Sequence, residues 1–595
     1  MADHTRSTLL PTQSEVARAV AVAAGRERPD VVFINARVVN VITQEIIESA
    51  VAVAGRLIAG VDPSYAECDA QTVIDLNGAY LAPGLIDGHL HVESSLVTPA
   101  AYAAAVVPRG VTGIIWDPHE IANVAGTRGL AWCMQASLAL PMSVWFDIPS
   151  CVPSTSLETA GARIGVAQIA ELLKHPAVVG VGELMSFDAA IAGDPDVLAR
   201  AFLGQEHRVA VDGHAPGISG RRTQAYLAGG VGSDHECTVL EEAHEKLRAG
   251  AFLMIREGSA TRNLKTLLPL LTAEHADRIG FVTDDRLPED LLADGGVDCL
   301  VRYAIAQQVP PALAVRAASW NTARYFGLTR RGAVAPGFFA DLIMLTELAG
   351  FRARSVYHEG TLVAQEGALQ LASRTPAIET SALKAVRYSV TVPRVHAARL
   401  AVPATDGAEI RVIRPVAEQI LTTEERVPAT VRDGFAVADA ERDIAKLVCV
   451  ERHGHNGNIA VGFVTGFGMR RGAIAGTVAH DHHNVMAMGL DDGDIATAVE
   501  RLGEIGGGFV VVNKGLVVAE LALPVAGLLS EAPIESVDAS MRAVDNAARE
   551  LGINWPAVFM TLSFLGLPVI PELRLTDHGL IDVDQSAVVP VVVAP

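Results

Sequence analysis

The run Pro83-Gly84-Leu85-Ile86-Asp87-Gly88-His89-Leu90-His91 puts two histidines two residues apart directly after an apolar segment. If that segment is a strand, side chains alternate with period 2 and both imidazoles point to one face. Two imidazoles side by side at a strand end make half of a metal site, and a metal site can activate water. Comparable residues follow later strand-like runs. Glu183 follows Val178-Val179-Gly180-Val181-Gly182, and His214 follows Val209-Ala210-Val211-Asp212-Gly213. His235 follows Val231-Gly232-Ser233-Asp234, and Asp284 with Asp285 follows Phe281-Val282-Thr283. A single histidine in such a place is more often a hydrogen-bonded structural residue than a ligand. Four of them, interleaved with carboxylates, call for a common cause.

Bringing those residues to one point requires a fold whose strand ends converge. Across 83–330, apolar strand-like runs (113–116, 144–146, 178–181, 209–211, 279–282) alternate with longer helical stretches such as 166–173. That repetition is what a (β/α)8 TIM-like barrel requires, and such barrels carry their chemistry at the C-terminal strand ends. A doubly wound open sheet is the alternative. No Gly-x-Gly-x-x-Gly follows an early strand, which argues against a dinucleotide-binding version.

The flanks differ in texture. Residues 14–25 read as an alanine-rich helix with Ser14 at the N-cap. Short β-branched runs at 31–34, 38–42 and 51–53 predict a small antiparallel sheet, and the same texture returns at 332–337, 340–345, 356–357 and 361–363. The fold class is α/β. Segment 1–82 holds the N-terminal helix and the first part of a small flanking β-sandwich domain, 83–330 the barrel, and 331–385 the second part of the small domain. Segment 386–595 forms an additional C-terminal α/β domain, its boundary falling within 375–390.

At 595 residues the chain is too long for one core. Its formal net charge of −21 excludes non-specific nucleic-acid or anionic-membrane binding as a role. Six scattered cysteines form no Cys-x-x-Cys, so neither a disulfide framework nor a thiolate zinc site is expected. The N-terminus has no secretory apolar core, and the most apolar run, 516–529, contains Glu520 and Pro524 and is too short for a bilayer. The expected location is cytoplasmic.

Two segments now become specific. The run 83–91 resembles the opening signature of the amidohydrolase superfamily, and Ala335-Pro336-Gly337-Phe338-Phe339-Ala340-Asp341-Leu342 resembles that superfamily's return to its small β-domain. Trp116-Asp117-Pro118-His119-Glu120-Ile121-Ala122-Asn123, Thr283-Asp284-Asp285-Arg286, Ala479-His480-Asp481-His482-His483-Asn484 and the stretch Pro568 to Asp577 look like the bacterial adenine deaminase family, and extend the match into the C-terminal domain.

The resemblance implies a binuclear centre. His89 and His91 would bind one metal with Asp284, and His214 and His235 the other. In many relatives a carboxylated lysine bridges the pair. Here Lys174 precedes the fourth strand and Glu183 ends it, so Glu183 is assigned as the bridge. Nitrogen and oxygen ligands without thiolate suit Mn(II) or Fe(II), with Zn(II) as the alternative. The implied reaction is attack of a metal-activated hydroxide on C6 of adenine, giving hypoxanthine and ammonia. Asp284 would pass a proton from that water to the leaving amine.

A second acid is wanted on the purine ring. Its candidates are Glu236 and the Asp117, His119 and Glu120 group. The plainer reading of Glu236 is a partner holding His235, and of His119 a structural histidine. The implied partner is a small molecule, adenine, in a homo-oligomer, taken as a dimer. The competing readings are an amidohydrolase acting on another cyclic amide, amidine or nucleobase, and a non-catalytic scaffold. The scaffold reading is opposed by a full set of ligand positions.

Other patterns carry less. His91-Val92-Glu93 fits the His-x-Glu half of the small zinc nucleobase deaminases, but their Pro-Cys-x-x-Cys is absent. Neither His-Glu-x-x-His nor Gly-x-Ser-x-Gly occurs. In His480-Asp481-His482-His483, a strand would put His480 and His482 on one face as ligands with His483 opposite. The blander reading is a polar loop covering the barrel mouth or an interface. Arg470-Arg471 either orients substrate or is solvated.

Overall fold

The structure is a computed structural model that describes residues 10–370, 380–416 and 419–593. The boundary expected within 375–390 falls partly in 371–379, outside the described residues. Eight strands of the central region follow one another in space as they do in sequence. They are β1 (Leu85–Leu90), β2 (Val111–Trp116), β3 (Ser143–Pro149), β4 (Val178–Leu184), β5 (Ala210–Gly213), β6 (Ser233–Asp234), β7 (Phe252–Arg256) and β8 (Ile279–Val282). β1 to β5 pair in parallel, as do β6 to β8. Two contacts close the ring. Gly232 N donates to the Val211 carbonyl (2.8 Å) between β5 and β6, and Asp284 N donates to the His89 carbonyl (3.0 Å) where β8 meets β1. Asp87 reinforces the second closure by accepting from Thr283 N (3.1 Å) and Thr283 Oγ1 (2.7 Å).

The barrel floor is apolar, built from Ile86, Ile115, Trp145, Phe252, Met254 and Val282. Higher up, Asp147 on β3 and Asp212 on β5 flank Gly182 of β4. Burial pushes both above the usual carboxylate range, Asp147 the more strongly because Asp212 lies beside it. Ser233 Oγ donates to Asp212 (2.7 Å).

The small flanking domain is one curled sheet of nine strands, contributed from both sides of the barrel. Strands from the two sides share one core, where the Phe33 and Tyr357 rings pack edge to face at 5.2 Å. The runs expected as separate strands at 31–34 and 38–42 are a single strand, Val31–Asn40, with a register shift at Asn35. Asn35 takes a left-handed φ of 52°, which asparagine tolerates. The sheet is mixed rather than antiparallel, because Val31–Asn40 pairs in parallel with Thr72–Asp75 and Tyr80–Pro83. The first helix is Gln13–Ala23, and its cap is Thr12, not Ser14. Thr12 Oγ1 accepts from Glu15 N (3.2 Å) and Glu15 reaches back to Thr12 N (2.7 Å), a reciprocal pair that Ser14 cannot make.

The C-terminal region builds a second nine-stranded sheet, largely antiparallel. Helix Asp492–Ile505 covers one face, and Val558–Phe564 lies against the other. This region shares a continuous apolar cluster with the barrel, running from Leu90, Val97 and Ile121 to Met486, Leu529 and Phe559. Ser530 is stitched to the loop after β1, donating N–H to Leu96 (2.7 Å) and accepting from Thr98 N (3.1 Å). Among the described residues, no helix is long and apolar enough to cross a membrane.

Gly180 tests the tightness of the barrel interior, since a Cβ there would lie 1.8 Å from Asp147 Oδ1. Gly180→Ala is expected to destabilise the protein by about 1–3 kcal/mol through overpacking. The measurement is the thermal unfolding midpoint, and an unchanged midpoint would contradict this packing.

Candidate metal centre at the barrel mouth

His89 and His91 flank the buried Leu90 at the end of β1, so their rings share the inner face. His91 Nδ1–H donates to the Asp117 carbonyl (2.9 Å), which leaves Nε2 free to face the centre. His89 is fully buried, and neither ring nitrogen has a hydrogen-bond partner. Burial, with His235 and His91 beside it, holds His89 well below the usual histidine value, in the neutral form a ligand needs. Its ring stacks on that of His235 at 4.2 Å.

Glu183 ends β4 in the middle of these rings. Oε1 lies 3.7 Å from His91 Nε2, and Oε2 lies 3.0 Å from His235 Nε2 and touches His214 Nδ1. Although burial opposes it, the His214 and His235 imidazoles hold this carboxyl well below its usual range. Asp284 follows β8 with a left-handed φ of 57°. Its Oδ1 lies 3.1 Å from His91 Nε2 and 4.0 Å from His89 Nε2. The donors form overlapping groups, His89–His91–Asp284, His89–Glu183–His235, His91–His119–Glu183 and His214–His235–Glu236, so Glu183 lies among the histidines of the expected set.

These residues fit a pair of cations. Ligands about 2.0–2.2 Å from a tetrahedral ion lie roughly 3.4 Å apart, and the separations of 3.0, 3.1, 3.7 and 4.0 Å here bracket that value. His89 Nε2, on the Asp284 side, is a buried polar atom that a bare protein leaves without a partner. All donors are nitrogen or oxygen. Cys237, close to His235, is buried, and burial pushes its thiol far up, so it stays neutral. Lys246, the buried lysine beneath β6, donates to Asp234 (2.8 Å), Glu242 (2.7 Å) and the Ala215 carbonyl (2.7 Å). With its three donors engaged it braces the strand rather than bridging the centre.

Arg256, at the end of β7, is a site residue that the sequence reading missed. Its guanidinium donates to Asp284 Oδ2 (2.6 Å) and to both oxygens of Glu236, the outer one at 3.0 Å. The signal was present, because Arg256 directly follows the apolar run 252–255, as the other site residues follow theirs. Arg256 also changes the picture of Glu236. Against burial, Arg256 and the two nearby histidines hold this carboxyl below its usual range. An ionised carboxylate accepts protons rather than giving them, and Glu236 stands with His214 and His235 as a further group of donors on the inner nitrogens rather than on the outer nitrogen of His235. Glu236 Oε1 lies 3.5 Å from His235 Nε2 and 3.6 Å from His214 Nδ1.

Asp117, His119 and Glu120 are buried at the β2 end, where helix His119–Ala136 begins. His119 Nδ1 lies 3.7 Å from Asp117 and 3.8 Å from Glu183, and Nε2 lies 3.3 Å from Glu120. The C-terminal domain reaches this corner. His480 Nδ1 is 2.7 Å from Glu120 Oε1, and His483 Nε2 touches Glu120 Oε2. The segment is a turn rather than a strand, so His480 and His483 face Glu120 together and His482 turns away. His482 Nε2–H donates to the Gly566 carbonyl (3.1 Å) and Nδ1 accepts from Asn484 N (2.9 Å), which satisfies both ring nitrogens. The buried Arg452 braces the turn through the His483 and Ala526 carbonyls. Arg470 and Arg471 instead cap the Ala440 and Glu550 carbonyls (2.8 and 2.7 Å).

Arg256→Met would leave Glu236 and Asp284 buried without their cation, a loss of about 3–5 kcal/mol. The thermal midpoint of the metal-free protein should fall accordingly, and Arg256→Lys should recover part of it. Equal midpoints for wild type and Arg256→Met would refute the assigned role.

Residues 80–363 match the amidohydrolase family, and residues 419–587 match the adenine deaminase C-terminal domain. Adenine deaminase 2 of Carboxydothermus hydrogenoformans is 44% identical over 574 residues, covering 96% of this chain and 98% of its own. The adenine deaminase of Desulfatibacillum aliphaticivorans is 43% identical over 567 residues, covering 95% and 97%. That of Brucella suis is 43% identical, covering 94% of each. The likeness runs through both the barrel and the C-terminal sheet, and the chain belongs to the adenine deaminase family of amidohydrolases.

Proposed function

We propose that this protein hydrolyses adenine to hypoxanthine and ammonia in the cytoplasm. The observation that carries the reading is end-to-end identity of 43–44% with proteins named adenine deaminase, across 95% or more of the chain. The ligand set proposed is His89, His91 and Asp284 with His214 and His235, bridged by Glu183, for two ions of Mn(II) or Fe(II). Zn(II) is the alternative. When bound, such ions supply Lewis-acid chemistry that lowers the pKa of water toward neutrality.

The chain's own residues do the rest. Arg256 keeps Asp284 ionised beforehand, so Asp284 can accept the proton that the attacking water gives up and then, protonated, pass it to the departing amine. C6 becomes electrophilic when a ring nitrogen is protonated. Burial opposes a charge on His119, yet Glu120 and Asp117 hold it well above the usual histidine value. This supports His119, through Nδ1–H on the Glu183 side, as the donor to the ring. Asp117 and Glu120 then act as its positioning residues, and Glu236 faces the same His214 and His235 nitrogens as Glu183. A dimer is part of the reading, supported by exposed Leu516 and Val518 on edge strand Leu516–Ala522.

The decisive assay is ammonia release from adenine by protein loaded with Mn(II) or Fe(II), run beside a panel of other cyclic amides and amidines. Turnover of another heterocycle without adenine would move the reading to that substrate. Glu183→Gln should lose both bound metal and turnover. His119→Asn should keep the metal held at Glu183 while kcat falls by roughly 10²–10⁴, the usual contribution of a general acid. A His119→Asn enzyme with wild-type kcat would remove His119 from the mechanism.

A further inference from the structure

A second cluster of donors lies outside the Glu183 ligand set, at the seam between barrel and C-terminal domain. His119 and Glu120 come from the barrel, and His480 and Asp481 from the turn between strands Ala473–Gly476 and Val485–Gly489. One donor atom of each lies within 4.8 Å of the other three. Glu120 Oε1 is 2.7 Å from His480 Nδ1 and 3.3 Å from His119 Nε2. Asp481 Oδ1 is 3.8 Å from His480 Nδ1 and 3.9 Å from His119 Nε2. All four residues are buried.

Two features set this apart from ordinary ion pairing. Both oxygens of Glu120 and Oδ2 of Asp481 lack a hydrogen-bond partner, although imidazole nitrogens crowd Glu120. Close approach away from the hydrogen-bond direction is what side chains show when they point at a common centre. In addition, among the described residues no lysine or arginine makes an ion pair with either carboxylate; their partners are histidines. Arg452, which braces the same turn, gives its N–H groups to the main-chain carbonyls of His483, Ala526 and Thr477. Two buried carboxylates facing only imidazoles make a strong site for a cation.

We propose that His119 Nε2, Glu120, His480 Nδ1 and Asp481 hold a third divalent cation of the first-row transition class. Two nitrogens and two oxygens at these separations match a closed four-coordinate site. The ion ties the C-terminal turn to the barrel. With the ion on Nε2, His119 is a neutral ligand whose Nδ1–H stays on the Glu183 side as a hydrogen-bond donor to the purine ring, and its charged form belongs to the ion-free seam. Glu120, His480 and His483 also line a cavity of about 150 Å³ between the domains, so the ion would fix part of its wall. None of the four belongs to the ligand set assigned to the binuclear pair.

The test is metal stoichiometry on the full chain, loaded with Mn(II) or Zn(II), desalted in metal-free buffer and counted by plasma mass spectrometry. Three equivalents are expected in the wild type and two in both His480→Gln and Asp481→Asn. In Glu183→Gln the seam ion should persist after the paired ions are lost, so failure of the binuclear reading shows separately. A wild type that never exceeds two equivalents would overturn the proposal, as would a third equivalent that survives both seam substitutions. If those variants do not fold, anomalous diffraction from wild-type crystals decides. A peak among the four donors supports the site, and its absence refutes it.

Discussion

A carboxylate taken out of water must find positive charge or give up its own, and the architecture at the mouth of this barrel follows from that constraint. Glu183 is buried on the inner face of β4, surrounded by the rings of His91, His214 and His235. Asp284 and Glu236 are buried beside it and share one guanidinium, Arg256. So much buried charge is stable only where each group is held at a fixed distance from its partners, and strand ends in a closed barrel supply that rigidity.

The supporting layers can be read in the same terms. Asp87 ties β1 to β8 through Thr283, so the histidines on β1 and the aspartate after β8 keep one spacing. Lys246 anchors β6 from below, between Asp234 and Glu242, and so fixes the strand that carries His235. Deeper still, glycines on β4 leave room for the Asp147 and Asp212 carboxyls. Charge is thus neutralised step by step toward an apolar floor, and the site is a polar shaft in an otherwise close-packed core.

The C-terminal domain belongs to the site rather than hanging beside it. Its apolar core is continuous with that of the barrel, so the two cannot separate without exposing a large buried surface. The turn carrying His480 and His483 presses on Glu120, while His482 and Arg452 hold the turn in shape from behind. One histidine-rich run therefore divides its labour. Two rings face the seam, and the third satisfies the local backbone.

The sequence alone determined the residue types and their place at strand ends, because alternation along a strand and repetition of strand and helix are local properties. The His89–His91 pair, Glu183 at the end of its strand, and the barrel between two halves of a small β-domain were all legible in this way. What proximity decides was not legible. Arg256 has the same strand-end position as its neighbours, yet only the closed ring reveals that it joins Glu236 to Asp284. The faces of His480, His482 and His483 depended on whether their segment is strand or turn, which Arg452 and the packing of the C-terminal domain settle. The cap at Thr12 and the parallel pairings in the small sheet likewise turn on partners outside the local pattern. Period and composition report what a segment can be; distance, which only the tertiary structure sets, decides which buried charges face each other and what must lie between them.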